Sequence, residues 1–245
     1  MSGDRSLETR RIIKLLNSAR FTVLFSGGKG SLGALLWVLD HIENDDWNIL
    51  YIEVTGNTHP LCTQYVKDVC KKLGVADRLI IARREDLDFF ECVEKWGLPI
   101  LGKHRWCLWQ FKAKVIEKHA HPVQVTGITQ NDSFRRKNIK PIDVFWKKHI
   151  VVNPLYNYTK QKILELIKEH RVEINPCYRV YGHSCNCMLC PYHSKDAIRL
   201  TLRDPVWGPK IINTLMKVRA KGSPIMRKLK EKWLREKDQL PLLRR

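Results

Sequence analysis

The chain has 245 residues, 44% of them hydrophobic and 28% charged, the composition of a globular protein able to bury a core without disulfide staples. No apolar stretch approaches the roughly 18 residues of a membrane span. Met1-Ser2-Gly3-Asp4-Arg5 opens no apolar signal segment, so a soluble cytoplasmic protein is expected. The formal net charge of +19 is uneven: residues 1–100 hold 13 basic and 14 acidic side chains, residues 101–209 hold 19 and 8, and residues 210–245 hold 12 and 3. Positive charge concentrated in the second half predicts a polyanion partner for that half, nucleic acid first.

Apolar spacing predicts an opening helix over 10–16. A β-rich run, 21–25, then meets the glycine loop Ser26-Gly27-Gly28-Lys29-Gly30-Ser31 and a helical run, 32–39. Strands are expected at 48–54, 78–82 and 123–127, with helices at 60–73, 85–96 and 109–119 between them. Strands alternating with helices predict an α/β fold: a mostly parallel twisted sheet with helices on both faces. Right-handed crossovers put the strand C-terminal ends on one edge, where ligands bind. Beyond Gly127 the pattern changes. Residues 133–140 form a basic loop, 144–152 an apolar stretch interrupted by Lys147 and Lys148, and 160–170 an amphipathic helix. A cysteine-rich loop at 175–193 follows, then two or three basic helices broken at Pro205, Pro209 and Pro224. The expected organisation is a nucleotide-binding domain over 1–150, a cysteine-rich segment completing it over 151–209, and a basic helical tail over 210–245.

A loop between a strand and a helix N-terminus is an anion site, because backbone N–H groups and the helix dipole both favour negative charge. Gly27 and Gly28 allow close backbone approach. Ser26 and Ser31 bring hydroxyls, and Lys29 brings a point charge. The spacing is neither G-x-x-x-x-G-K-[ST] nor G-x-G-x-x-G.

This segment resembles the PP-loop, S-G-G-x-D-S, of the adenine nucleotide α-hydrolase superfamily, with Gly30 where that loop usually carries Asp. Four further segments resemble the phosphoadenosine phosphosulfate (PAPS) reductase-like branch. They are Val54-Thr55-Gly56-Asn57-Thr58-His59-Pro60, Arg105-Trp106-Cys107 with Lys112, Gly127 with Ser133 and Arg136, and Asn175-Pro176-Cys177-Tyr178 followed by Cys187-Met188-Leu189-Cys190-Pro191. The resemblance covers roughly residues 20–195. It implies that Ser26, Gly27, Gly28, Lys29, Gly30, Ser31, Thr55, Gly56, Gly127 and Arg136 bind ATP or a related adenine nucleotide with Mg2+. It also makes Lys29 and Cys107 the catalytic candidates.

Of the eight cysteines, Cys62, Cys70 and Cys92 are expected as buried small hydrophobes. Cys177, Cys185, Cys187 and Cys190 crowd into fourteen residues. Cys187-x-x-Cys190 is a two-ligand knuckle, and disulfides suit a reducing compartment poorly. The resemblance places Cys107 beside this element. Three readings follow: a [4Fe–4S] cluster on Cys107, Cys187, Cys190 and either Cys177 or Cys185; zinc on Cys185, Cys187, Cys190 and His183 or His193; or reduced structural thiols. A cluster with one iron lacking a protein thiolate could hold sulfide for transfer.

Arg135, Arg136, Lys137 and Lys140 are expected to contact either a nucleotide or RNA. His104, His119 and His121 read as surface or satisfied histidines. Three functions fit. The first is an enzyme that adenylates a nucleic-acid base with ATP and transfers sulfur to it, as in tRNA thiolation. The second is a sulfonucleotide (PAPS/APS) reductase, against which stands the lack of a cysteine after Cys190. The third is a non-catalytic RNA- or ribosome-associated protein, which Gly30 and the charge favour. Expected partners are RNA, of tRNA or ribosomal type, and a small nucleotide, with no membrane; a second copy of the chain is a further candidate. Deleting residues 210–245 is expected to weaken RNA binding and spare ATP binding.

Overall fold

The computed structural model describes residues 2–100, 104–145, 149–218 and 223–238. The chain folds as two compact units that are interleaved along the sequence. Unit 1 comprises Met1–Ile52, Gln64–Ala82 and Ile116–Asn175, and unit 2 comprises Glu53–Thr63, Arg83–Val115 and Pro176–Arg245.

Unit 1 is built on a six-stranded sheet. The strands are β1 (Phe21–Leu24), β2 (Trp47–Glu53), β3 (Leu79–Arg83), β4 (Val123–Val125), β5 (Ile142–Phe145) and β6 (His149–Val152), in the order β3-β2-β1-β4-β6-β5. β1 pairs in parallel with β2 and β4, and β4 with β6; β5 alone is seen to run antiparallel, against β6. The helices of this unit are α1 (Ser2–Ser18), α2 (Lys29–His41), α3 (Pro60–Lys72), α5 (Lys114–His119) and α6 (Lys160–Glu169), some beginning in unit 2. Phe21 and Val23 on β1 and Leu32, Leu35, Leu36 and Val38 on α2 are buried, so the apolar runs on either side of the glycine loop form one core. The expected mostly parallel α/β fold is the observed one.

Two differences have simple causes. The stretch 144–152 is one strand of a hairpin and the end of the other. Its period is hidden by Lys147 and Lys148, which lie outside the described residues. α2 starts at Lys29, inside the glycine loop rather than after it.

Unit 2 is helical: α4 (Phe89–Trp96), α7 (Cys177–Tyr181), α8 (Lys195–Leu202), α9 (Trp207–Lys217) and α10 (Pro224–Asp238). Between them Leu108–Ala113 is π-helical, with Lys114 N–H bonded to Trp109 O. Its core joins Phe89, Phe90, Trp106 and Phe111 to Ile198, Ile211, Leu215 and Trp233. Pro209 does not break a helix. It sits in the first turn of α9, where its missing N–H has no intrahelical acceptor to lose. Pro224 starts α10 for the same reason. Nor do α9 and α10 hang free as a tail: Trp233 is 0% exposed, and the buried Glu236 carboxylate accepts from Arg199 Nε at 2.5 Å. Truncation at 210 would therefore open this core, so the truncation test of RNA binding would report on folding as well. Among the described residues, no helix is long and apolar enough to cross a membrane.

Candidate functional site

The loop site belongs to unit 1. β1 has β2 on one side and β4 on the other, so strand order reverses there. In such sheets ligands bind outside the C-terminal ends at the reversal. Ser26–Ser31 leaves β1 at that point and Gly127 leaves β4. The two backbones touch: a Cβ on Gly30 would lie 2.4 Å from Gly127 O, and one on Gly127 would lie 2.0 Å from Gly30 O. Gly30 is therefore the residue this packing requires, and an aspartate there has no room. Gly27 takes φ 73°, which glycine adopts without strain. Its carbonyl accepts from Nδ2 of buried Asn175 at 3.1 Å.

The two serines fix the loop. Ser31 Oγ donates to Gly28 O at 2.9 Å and accepts from Ser26 N at 3.1 Å, with Ser26 Oγ 3.1 Å away. Gly28 is the N-cap of α2 and brings no capping side chain. First-turn N–H groups have no partner within their own helix, and here they meet the positive end of a thirteen-residue dipole. That is phosphate chemistry. Arg136, in the segment after β4, gives its Nη1 to Asp132 at 2.5 Å.

Thr55 and Gly56 lie in unit 2, where they shape a turn. Thr55 donates its hydroxyl to Arg84 O. Gly56 has φ 79°, and a Cβ there would overlap the Asp88 carboxylate. Asp88 in turn caps α4 through Phe90 N at 2.7 Å.

The cysteine site also belongs to unit 2. The turn Val54–His59 grips the cysteine segment from one side. Asn57 is fully buried. Its Nδ2 donates to Leu189 O at 3.1 Å and its Oδ1 accepts from Leu189 N at 2.7 Å. Met188 N donates to Asn57 O at 2.8 Å, Thr58 Oγ1 to Asn186 O at 2.8 Å, and His59 N to Cys185 O at 3.0 Å. The knuckle between Cys187 and Cys190 is thus held by one asparagine that mimics a strand partner. Lys112 Nζ, on the π-helical segment that Cys107 precedes, reaches Asn186 Oδ1 at 3.3 Å. A π-turn inserts a residue and re-aims its neighbours, a feature common at functional sites.

The thiols fall into two sets. Burial, then Cys187, pushes Cys107 up. Burial, then Cys187, pushes Cys190 up to about 11, with Cys107 adding to it. Lys112 opposes both shifts. Cys107, Cys187 and Cys190 therefore act on one another. Cys177 and Cys185 act on each other separately: the contact between them lowers Cys177 and raises Cys185, and the Cys185 thiol also donates to His183 O at 3.8 Å. Cys62, Cys70 and Cys92 are buried, as expected. Among the described residues no group of three or more His, Cys, Asp or Glu side chains is already arranged to hold a metal ion. The donor chemistry of Cys107, Cys187 and Cys190 suits thiolate ligation of a cluster, while Cys177 and Cys185 act on each other. His183 is engaged elsewhere. Its Nδ1 accepts from Cys185 N at 3.1 Å, so Nε2 carries the proton and meets Thr201 Oγ1 at 3.0 Å. A zinc ligand at His183 would break one of these bonds.

Sequence reasoning used Asn57 and Lys112 only as parts of family motifs and did not assign them roles. It missed the chain His59–Tyr181–Asp204, in which Tyr181 is buried and the other two are half-buried, altogether. Tyr181 donates to Asp204 at 2.6 Å, with His59 Nε2 3.2 Å from the phenol. Burial, and then the bond to Asp204, push the phenol up.

A glycine loop on a helix N-terminus, at the reversal point of a largely parallel sheet, defines a nucleotide-binding α/β protein of the PP-loop class. The chain belongs to the phosphoadenosine phosphosulfate reductase domain family, whose model matches residues 20–193. No curated protein matches it in sequence. Among solved structures it is similar to phosphoadenylyl-sulfate reductase from Candida auris in its phosphate complex, at 16% identity and TM-score 0.49, over 70% of this chain and 83% of that one. It is also similar to the FMN adenylyltransferase of Candida glabrata in complex with FAD and inorganic pyrophosphate, at 16% identity and TM-score 0.47, over 73% of this chain and 62% of that one. A third is the U34-tRNA thiolase of Methanococcus maripaludis with its [4Fe-4S] cluster, at 16% identity and TM-score 0.46, over 95% of this chain and 77% of that one. Family membership rests on the domain match alone.

Proposed function

We propose that the protein binds ATP at the Ser26–Ser31 loop, adenylates a carbonyl of an RNA base, and replaces the activated oxygen with sulfur. The observation that carries this reading is the three-thiol set, Cys107, Cys187 and Cys190, in a chain whose loop has the features of a phosphate site. The N–H groups of the first turn of α2 bind the β- and γ-phosphates of the Mg2+ complex, and Lys29 adds charge. The base oxygen attacks the α-phosphorus, pyrophosphate leaves, and sulfide then displaces AMP. Cys107, Cys187 and Cys190 would hold a [4Fe–4S] cluster, which would supply a position for the sulfide. Asn57 and Lys112 keep the cysteine segment in place, and Lys112 favours the ionised forms of Cys107 and Cys190. The excess of basic residues beyond residue 100 supports an RNA substrate.

The family match favours a second reading, reduction of a sulfonucleotide. Anaerobic purification with iron, zinc and sulfide counts, followed by incubation with ATP, sulfide and RNA and, in parallel, with a sulfonucleotide and a dithiol reductant, separates the two. Thionucleosides and AMP support thiolation. Sulfite released from a sulfonucleotide, with no thionucleoside, supports reduction. Zinc without sulfide refutes the cluster.

A further inference from the structure

Phe134 is 83% exposed, more than any other large apolar side chain among the described residues. It stands in Ser133–Lys140, which holds four basic residues and no acidic one. A single exposed apolar side chain is ordinary; what singles out this ring is its place in a basic turn held by its own hydrogen bonds.

The segment is built to hold the ring in place. The short turn Gln130–Asp132 carries a capping box between Thr129 and Asp132. Asp132 also receives Arg136 Nη1 at 2.5 Å. Gln130 Nε2 donates to Ile139 O at 3.0 Å, closing the far end of the loop, and Asn131 Nδ2 donates to Tyr158 O at 3.0 Å. Arg136 N and Lys137 N donate to Ser133 O and Phe134 O, which makes the turn carrying Phe134 helical. Lys137 Nζ stands 5.2 Å from the ring centroid. Arg135, Lys137 and Lys140 are all exposed.

We propose that Phe134 is a stacking platform for an unpaired RNA base, with Arg135 and Lys137 on the flanking phosphates. A flat aromatic face flanked by cations is the combination that single strands require. The ring stacks on a base of any sequence, and the cations neutralise the backbone. A duplex stacks its base faces out of reach and offers phosphates, 2′-hydroxyls and base edges, none of which calls for a flat aromatic face. The proposal rests on the RNA reading above and names the element of the substrate it recognises: a loop or a splayed base, not a helix.

The test compares a hairpin RNA bearing an unpaired loop with a fully paired duplex of the same stem, using full-length protein in filter-binding titrations at two salt concentrations. Phe134→Ala is expected to weaken hairpin binding about 5- to 150-fold, the range for losing one aromatic stack, with duplex binding changed less than twofold. Phe134→Trp is expected to restore it. Arg135→Ala with Lys137→Ala is expected to flatten the salt slope by about 0.7 for each single-strand phosphate no longer neutralised. Far-UV dichroism and the urea midpoint, unchanged in all variants, show that the fold is intact. Equal hairpin affinity of wild type and Phe134→Ala, or equal losses on hairpin and duplex, overturns the platform while leaving the RNA reading standing. Absence of salt-dependent RNA binding by the wild type overturns both.

Discussion

Asn57→Ala tests how the cysteine site is held together. The side chain closes two hydrogen bonds on one residue, with Leu189 N at 2.7 Å from Oδ1 and Leu189 O at 3.1 Å from Nδ2, all buried. Removing it leaves two buried backbone groups unpartnered. Each such orphan costs about 1–3 kcal/mol, so the expected loss is about 2–6 kcal/mol before any water enters the gap. That is a large part of the roughly 5–15 kcal/mol by which a domain is stable. Asn57→Asp keeps the size and the acceptor but sets a carboxylate against Leu189 O, so it should lose nearly as much. Urea unfolding of the purified protein reads the stability. Reactivity of Cys187 and Cys190 towards a maleimide, site-resolved by mass spectrometry, reads the local order. A positioning role predicts that both thiols label faster under conditions where far-UV dichroism is still native. A midpoint within about 0.5 kcal/mol of wild type, the usual range for a surface substitution, together with unchanged labelling, would refute the reasoning.

Two further tests address other parts of the molecule. Gly30→Ala places a Cβ 2.4 Å from Gly127 O, so the loop must shift; ATP affinity by calorimetry should fall about tenfold or more, equivalent to about 1.4 kcal/mol, and wild-type affinity would show that the two backbones can separate freely. Burial lowers His183 to about 4 and His193 to about 3 from 6.5. Below pH 6.5 the unfolded chain therefore binds protons that the native state refuses, and stability falls with pH from 6.5 towards about 4. The slope is about 1.4 kcal/mol per pH unit for each histidine, so urea midpoints measured between pH 7 and 5 should drop and His193→Gln should lessen the drop; a flat profile would contradict the burial.

The alternation of strands and helices was legible because each element's period is local. The glycine loop was legible because its chemistry is confined to six consecutive residues. The cysteine site was legible as a set of thiols but not as a structure, because its support comes from a residue 132 positions away in sequence. Asn57 was visible only as a letter in a turn motif; nothing local says that its amide faces Leu189. Trp233 illustrates the same limit. In a run of lysines and arginines it reads as an isolated aromatic, yet it is the buried anchor of α10. The nearby charges solvate the outer face of that helix, and composition alone does not distinguish a basic tail from a basic surface on a packed helix.

The separation of the thiols into two sets bears on how a cluster would be ligated. Cys185 adopts φ 60°, a left-handed conformation that costs a non-glycine residue of order 1–3 kcal/mol. It is pinned there by His59 N on its carbonyl and by its own N–H on His183 Nδ1. Its thiol donates to His183 O at 3.8 Å and also contacts Cys177. Cys177 and Cys185 are held by a contact of their own, which ligation by either would replace. Cys107, Cys187 and Cys190 face no such exchange, since their mutual repulsion as thiolates is what a cation or cluster relieves. The same burial that raises Cys107 and Cys190 when empty strengthens their bonds to a cationic centre when ionised. The proposed ligation by Cys107, Cys187 and Cys190 therefore asks for no change in the contact between Cys177 and Cys185.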